Sequence, residues 1–125
     1  MFKKRKKASR EDIIAQWLEL YPIRQLEYET DQDGKVTVLV PHPEYWFTRF
    51  LPKPKHPARR IHLDEFGSLV WSLCDGNHTV REIARKLEET FGDSVHPGEE
   101  RTVMFVQQMY QQEFVKMFEK QTSDD

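Results

Sequence analysis

The chain has 125 residues, 38% hydrophobic and 32% charged, with a formal net charge of −2. That gives room for one compact domain and a tail but not for two ordinary domains. A single cysteine, Cys74, excludes an internal disulfide and a cysteine-based zinc site, and it fits a reducing compartment.

No apolar stretch approaches the roughly 20 residues of a membrane span. The basic start runs into no uninterrupted apolar segment of the signal-peptide kind, so the cytoplasm is the expected location. Charge is unevenly spread. The first ten residues carry six cations (Lys3, Lys4, Arg5, Lys6, Lys7 and Arg10) and no carboxylate, which leaves 13 Lys and Arg against 21 Asp and Glu, a formal −8. Residues 1–8 therefore read as a basic, unfolded arm on an acidic body. Such an arm either solubilises the chain or meets RNA, DNA or an acidic membrane.

From residue 9 the pattern becomes helical. Ser9 can cap a helix, Asp12 stands three residues on, and Ile13, Ile14, Trp17, Leu18 and Tyr21 share one side. Pro22 is expected to stop this helix. Residues 23–30 and 35–40 read as two strands joined through a Gly-bearing loop at 31–34, the second rich in β-branched residues. Residues 41–58 hold five of the seven prolines beside Tyr45, Trp46, Phe47 and Phe50. Proline denies this insertion regular structure, while its aromatics favour burial or a partner.

Residues 59–63 form a further short strand, and three helices follow. The first starts at the N-cap residue Asp64, presents Phe66, Leu69, Val70 and Leu73 on a stripe, and ends at Asp75-Gly76. Trp71 lies off that stripe and reads as core. The second opens with a Thr79–Glu82 capping box, buries Val80, Ile83, Ala84, Leu87 and Phe91, and closes at Gly92. The third starts around Pro97 and runs to about Gln112 behind an apolar face of Val103, Phe105, Val106, Met109 and Tyr110. Phe114 and Val115 then clip onto the core, and 119–125 fray. The expected fold is α+β, with residues 9–118 as a single domain. A small three-stranded antiparallel sheet packs on three helices in a winged helix-turn-helix-like arrangement, with an extra N-terminal helix.

Residues 61–91 carry a set of features at characteristic spacing. They are Leu63-Asp64-Glu65 before a helix containing Gly67, then Val70-Trp71, the turn Cys74-Asp75-Gly76, and Thr79-Val80 with Ile83. Weaker matches continue through Glu100-Arg101, Phe105 and Phe114-Val115. In these residues the chain resembles the PqqD family over roughly 23–116. The resemblance implies a leader-peptide recognition module that binds a ribosomally made precursor as an added strand beside the last helix. It further implies hand-over to a radical S-adenosylmethionine or other peptide-modifying enzyme, with no chemistry and no cofactor of its own. The N-terminal helix, the arm and the 41–58 insertion lie outside the family pattern, and Glu113 stands where a Gly commonly precedes the final apolar pair.

Strand addition requires an edge with unpaired amides and carbonyls. The candidate edge is Arg59, Arg60, Ile61 and His62. With Ile61 and Leu63 facing the core, Arg60 and His62 point outward, and Arg59 and Arg60 can attract a peptide carboxylate. On the last helix, Arg101, Met104, Gln108 and Gln112 share the face away from the apolar stripe, and a Met among long polar residues suits adaptable peptide contact.

Two other classes compete with this reading. A winged-helix DNA-binding regulator presents a basic recognition helix, whereas this last helix opens on Glu99-Glu100 and offers Arg101 alone; nucleic acid is not the expected partner. A structural subunit docking through the aromatic segment 45–50 is the other, and a homodimer is left open. An enzyme is not expected: five scattered histidines lack metal-ligand spacing, and no nucleophile elbow or phosphate loop occurs. Cys74 falls near a helix C-terminus, where the dipole disfavours a thiolate.

Overall fold

A computed structural model describes residues 9–41, 50–52 and 58–120. The basic arm 1–8, positions 42–49 and 53–57 of the insertion, and 121–125 of the tail lie outside the described residues.

Helix α1 (Arg10–Leu18) starts at the expected cap. The Ser9 hydroxyl accepts the Asp12 N–H at 3.1 Å, and the Asp12 carboxylate accepts the Ser9 N–H at 3.3 Å. It ends three residues short of the expected Tyr21, because Tyr21 and Pro22 belong to strand β1 (Tyr21–Arg24). Pro22 is thus a buried strand residue and not a helix stop. It sits opposite Met117 and its carbonyl accepts the Gly76 N–H, so its missing N–H breaks no rung of the ladder with the partner strand.

The single strand expected over 23–30 is two. Strand β1 pairs antiparallel with β5 (Val115–Phe118), Arg24 opposite Val115, and the Gln25 N–H still reaches the Phe114 carbonyl. The chain then bends, and β2 (Tyr28–Thr30) joins a different sheet. The hairpin from β2 to β3 (Val36–Pro41) forms as expected. The Asp31 carboxylate accepts the N–H groups of Asp33 and Lys35, both at 2.9 Å, which is the local bonding that makes Asp a turn residue. Strand β4 (Ala58–His62) pairs on the far side of β3, Ile61 opposite Val38, giving the order β2-β3-β4.

Behind this sheet lie α2 (Glu65–Leu73), α3 (Val80–Phe91) and α4 (Gly98–Gln111), with a 3-10 turn (Gly92–Val95) before the last. Asp64 caps α2 by accepting the Gly67 N–H at 2.7 Å. The expected stripe on α2 is only partly right: Val70 is fully buried, whereas Phe66, Leu69 and Leu73 are half-buried. Trp71 is fully buried, as its core reading requires. α2 is covered by both α3 and β3, so its buried sector turns toward Gly67, Ser68, Val70 and Trp71.

Thr79 and Glu82 close the capping box on α3, and the Thr79 N–H bond holds the Glu82 carboxyl below its ordinary range. Pro97 is the N-cap of α4, one residue outside the helix. The core is built by Val36 and Val38 from the sheet, Val70 and Trp71 from α2, Val80, Ile83 and Leu87 from α3, and Val103 and Val106 from α4. Val115 closes it from β5, so the expected terminal clip is a strand paired to β1.

Candidate functional site

The ladder fixes which main-chain groups of β4 are engaged. The Leu63 N–H donates to the Val36 carbonyl at 2.8 Å, and the Leu39 N–H turns the other way, to Glu27 on the β2 side. In an antiparallel pair this alternation is strict. Arg59 and Ile61 therefore bond to β3, while the N–H and C=O groups of Arg60 and His62 point outward. Among the described residues, no strand pairs with that outer side. The open rim is made by Arg60 and His62, and Ile61 lies within the ladder.

Side chains alternate with the pleat. Ile61 and Leu63 are half-buried against the core, and Arg59, Arg60 and His62 are exposed. On the outer face the Arg60 guanidinium pairs with Glu29 of β2, and His62 Nδ1 lies 2.9 Å from Thr37 Oγ1. Arg60 thus already has a carboxylate partner within the sheet; Arg59 makes no ion pair among the described residues.

Helix α4 meets the end of β4 through aromatic rings. Phe66, just after the strand, packs edge-on against Phe105 of α4, centroids 5.7 Å apart, and the Arg101 guanidinium lies 5.6 Å above the Phe66 ring. Arg101 also donates to the Ser94 carbonyl at 2.7 Å. A Cβ on Gly67 would stand 3.1 Å from the Phe105 ring and 3.3 Å from Leu63 Cβ, so the bare backbone there lets α4 close on α2 and the strand end. Half-buried Ile61, Leu63, Phe66 and Phe105 thereby run as an apolar line from β4 toward α4.

Of the α4 residues read from the sequence, Arg101 is tied to this line. Met104, Gln108 and Gln112 share the exposed face, but Met104 leans toward α1, its Sδ 3.9 Å from the Arg10 guanidinium. Phe66 and Phe105 were readable only as core stripes; Glu29 and Thr37 gave no signal, because their partners come from a strand distant in sequence.

Other chemistry is sparse. Among the described residues, no group of three or more His, Cys, Asp or Glu residues is placed to hold a metal ion. No helix among them is long and apolar enough to cross a membrane. Burial pushes the Cys74 thiol up to about 12, with Arg24 opposing and Asp75 adding, so it stays protonated. An open depression of about 570 Å³ lies between the end of α1, Tyr21 and Thr79. None of its lining comes from β4 or α4.

A three-stranded antiparallel sheet, whose outer strands β2 and β4 have no further strand beside them among the described residues, is backed by three helices and defines an α+β winged-helix-like module. Residues 56–115 match the family model described as Coenzyme PQQ synthesis protein D (PqqD), and that segment belongs to the PqqD family. The match runs from just before β4 to the first residue of β5, so it holds the β4 edge and all three helices behind it; α1 and β1 to β3 fall outside. No curated protein and no solved structure matches the chain.

Proposed function

We propose that this chain is a non-catalytic adaptor that takes a ribosomally made precursor peptide as an added strand on β4 and presents it to a modifying enzyme, of the radical S-adenosylmethionine type. The observation that carries the reading is the outward pair of backbone groups on Arg60 and His62, bare among the described residues and bordered by Ile61, Leu63, Phe66 and Phe105. Main-chain bonds along such an edge supply affinity, and alternate side chains entering the apolar line supply specificity. Family membership supports the same role, since PqqD proteins are accessory and perform no catalysis.

Arg59, Arg60, Ile61 and His62 form the strand side of this site, with Arg101 opposite; Met104, Gln108 and Gln112 extend it along α4. A DNA-binding reading has less support, because Glu99 and Glu100 occupy the first turn of α4, where phosphate would approach. One observation favours a second surface: Phe50 is 81% and Leu51 57% exposed, which suits docking of a partner protein at the insertion.

The test is a proline placed on the open edge. Arg60→Pro removes an N–H that faces away from β3, a position where an edge strand tolerates proline, and Arg60→Ala controls for the lost side chain. Titration calorimetry uses synthetic peptides made from any short reading frames that adjoin this chain's gene. The wild-type and Arg60→Ala proteins are expected to bind in the micromolar to nanomolar range, about −8 to −12 kcal/mol, and Arg60→Pro at least tenfold more weakly at unchanged helicity. Equal binding by Arg60→Pro and Arg60→Ala would refute strand addition at β4.

A further inference from the structure

The sheet has a second open edge. The Leu39 N–H donates to the Glu27 carbonyl and the Asp31 N–H to the Lys35 carbonyl, both at 2.9 Å, and Tyr28, Glu29 and Thr30 stand opposite Val38, Thr37 and Val36. By the antiparallel alternation, Glu27 and Glu29 bond to β3, and the N–H and C=O groups of Tyr28 and Thr30 point away from it. Among the described residues, no strand pairs with that side, and all three residues of β2 are exposed. The pleat puts Tyr28 and Thr30 on the face of buried Val38 and Val36, and Glu27 and Glu29 on the opposite face.

The two edges carry opposite charge. β4 presents Arg59, Arg60 and His62, whereas residues 27–33 hold four carboxylates and no cation. Asp31 is taken up by the N–H groups of its turn and Glu29 is bonded to Arg60, but Glu27 makes no ion pair among the described residues. On the other face, the Tyr28 ring is 43% exposed. It meets Trp71 edge-on at 5.7 Å, and Arg24 lies over it with its guanidinium tied to the Trp71 and Ser72 carbonyls. Trp71 is fully buried, yet its indole N–H has no acceptor among the described residues. An unmade bond of this kind marks a place the fold leaves incomplete, and it belongs to the ring against which the β2 tyrosine packs.

We propose that β2 is a docking edge for an extended segment of the modifying enzyme in which basic residues alternate with apolar ones. This rests on the adaptor reading, which gives β4 to the precursor peptide and leaves the enzyme to be held elsewhere. A strand beside β2 takes the outward main-chain groups of Tyr28 and Thr30. Its residues opposite Glu27 and Glu29 occupy non-hydrogen-bonded pairs, where side chains come closest, and Lys or Arg there neutralises the carboxylates. Its alternate residues cover Tyr28, where Arg24 disfavours a further cation. A second copy of this chain does not fit: every antiparallel register that joins the outward groups of Tyr28 and Thr30 to their counterparts sets Glu27, Glu29 and Asp31 against one another. A basic segment does not suit β4 either, whose own arginines repel it.

The experiment uses the full chain and two labelled synthetic peptides, one alternating Val with Lys and one alternating Val with Glu. Binding is followed by fluorescence anisotropy, and the edge occupied is read by NMR from the solvent exchange of backbone amides. The Val/Lys peptide is expected to slow exchange at Tyr28 and Thr30 and to leave Arg60 and His62 unchanged. Thr30→Pro removes an outward N–H that an edge strand can lack, and should bind Val/Lys about tenfold more weakly than Thr30→Ala at unchanged helicity. Glu27→Lys keeps the backbone intact and should weaken binding about fivefold at low salt, a gap that closes near 1 M salt, where the Debye length is about 3 Å. The Val/Glu peptide should leave Tyr28 and Thr30 unprotected. Equal affinity of wild type, Thr30→Pro and Glu27→Lys for Val/Lys, or its protection of Arg60 and His62 instead, overturns the proposal. So does protection of Tyr28 and Thr30 by the peptides from adjoining reading frames, which would give this edge to the precursor. If Val/Lys fails to bind while those peptides still distinguish Arg60→Pro from Arg60→Ala, the β2 edge falls and the β4 reading stands. If Val/Lys protects Tyr28 and Thr30 while those peptides ignore Arg60→Pro, the β4 reading falls and β2 remains a docking edge for a basic strand.

Discussion

Phe105 of α4 meets Phe66 of α2 edge-on, with ring planes at 86°, and Gly67 is what lets them meet. The glycine sits inside a helix, where alanine would ordinarily gain about 1 kcal/mol. Its absent Cβ leaves room for the Phe105 ring, the Leu63 side chain and the capping oxygen of Asp64, all within 3.1–3.3 Å of where that carbon would be. Overpacking of this kind costs about 1–3 kcal/mol, which outweighs the propensity gain. Gly67→Ala is therefore expected to lower stability by about 1 kcal/mol in urea unfolding and, under the proposed function, to weaken peptide binding, since Phe105 must shift from its place against Phe66. A Gly67→Ala protein more stable than wild type would mean that Phe105 gives way freely.

Glu113 offers the reverse case. Its φ is 65°, in the left-handed region where a side chain costs roughly 1–2 kcal/mol. It occupies the turn that ends α4, with the Glu113 N–H bonded to Tyr110 and the Phe114 N–H to the Met109 carbonyl, at 3.0 and 2.8 Å. This is the glycine-favouring helix ending, met here by a glutamate. Glu113→Gly should raise the unfolding free energy by about 1 kcal/mol with the same slope against urea. A loss of stability would show that the Glu113 side chain makes a contact worth more than its backbone strain.

The departure from glycine at 113 was visible in the sequence, as were the Ser9 and Thr79 caps and the Asp31 hairpin. The caps and the hairpin each depend on residue types within four positions of one another, and short-range bonding of that kind is written locally, whereas the departure at 113 shows only against the pattern of the family that the chain resembles. The division of 23–30 was not visible, because Arg24 pairs with Val115 at the other end of the chain and no local pattern names a distant partner. The edge at 59–62 was legible as a strand with Ile61 turned inward. That Arg60 is matched by Glu29 was not, for the same long-range reason. Phe66 and Phe105 show the remaining ambiguity: a half-buried ring at the margin of a core and a ring buried within it leave the same mark at helical spacing.

Ser68 joins the sheet to the helices. Its hydroxyl accepts the Val36 N–H at 2.8 Å, a bond that the neighbouring strand would otherwise supply. Val36 is 1% exposed and Ser68 4%, so no water replaces that acceptor. Ser68→Ala leaves a buried donor unpaired and is expected to cost about 1–3 kcal/mol. Amide exchange at Val36 should accelerate by more than the global loss explains. Unchanged exchange at Val36 would show that another acceptor takes over.

Cys74 gives a stability change with a defined pH window. Its folded thiol lies at about 12 against 9.0 for the free group, chiefly through burial. The folded state therefore holds this proton more tightly than the unfolded chain does. The resulting contribution is complete below about pH 9 and is lost as pH rises toward 12. With 1.36 kcal/mol for each pKa unit, the loss over that range is on the order of a few kcal/mol. Tyrosines and lysines also titrate there, so Cys74→Ala is the reference: wild type and variant share every other group. The difference in unfolding free energy between the two should stay constant up to about pH 9, then move steadily in the variant's favour through pH 11. A difference that stays flat would mean that water reaches the Cys74 thiol in the folded protein. Iodoacetamide supplies the companion measurement at pH 8, where the buried thiol should resist alkylation until urea unfolds the chain.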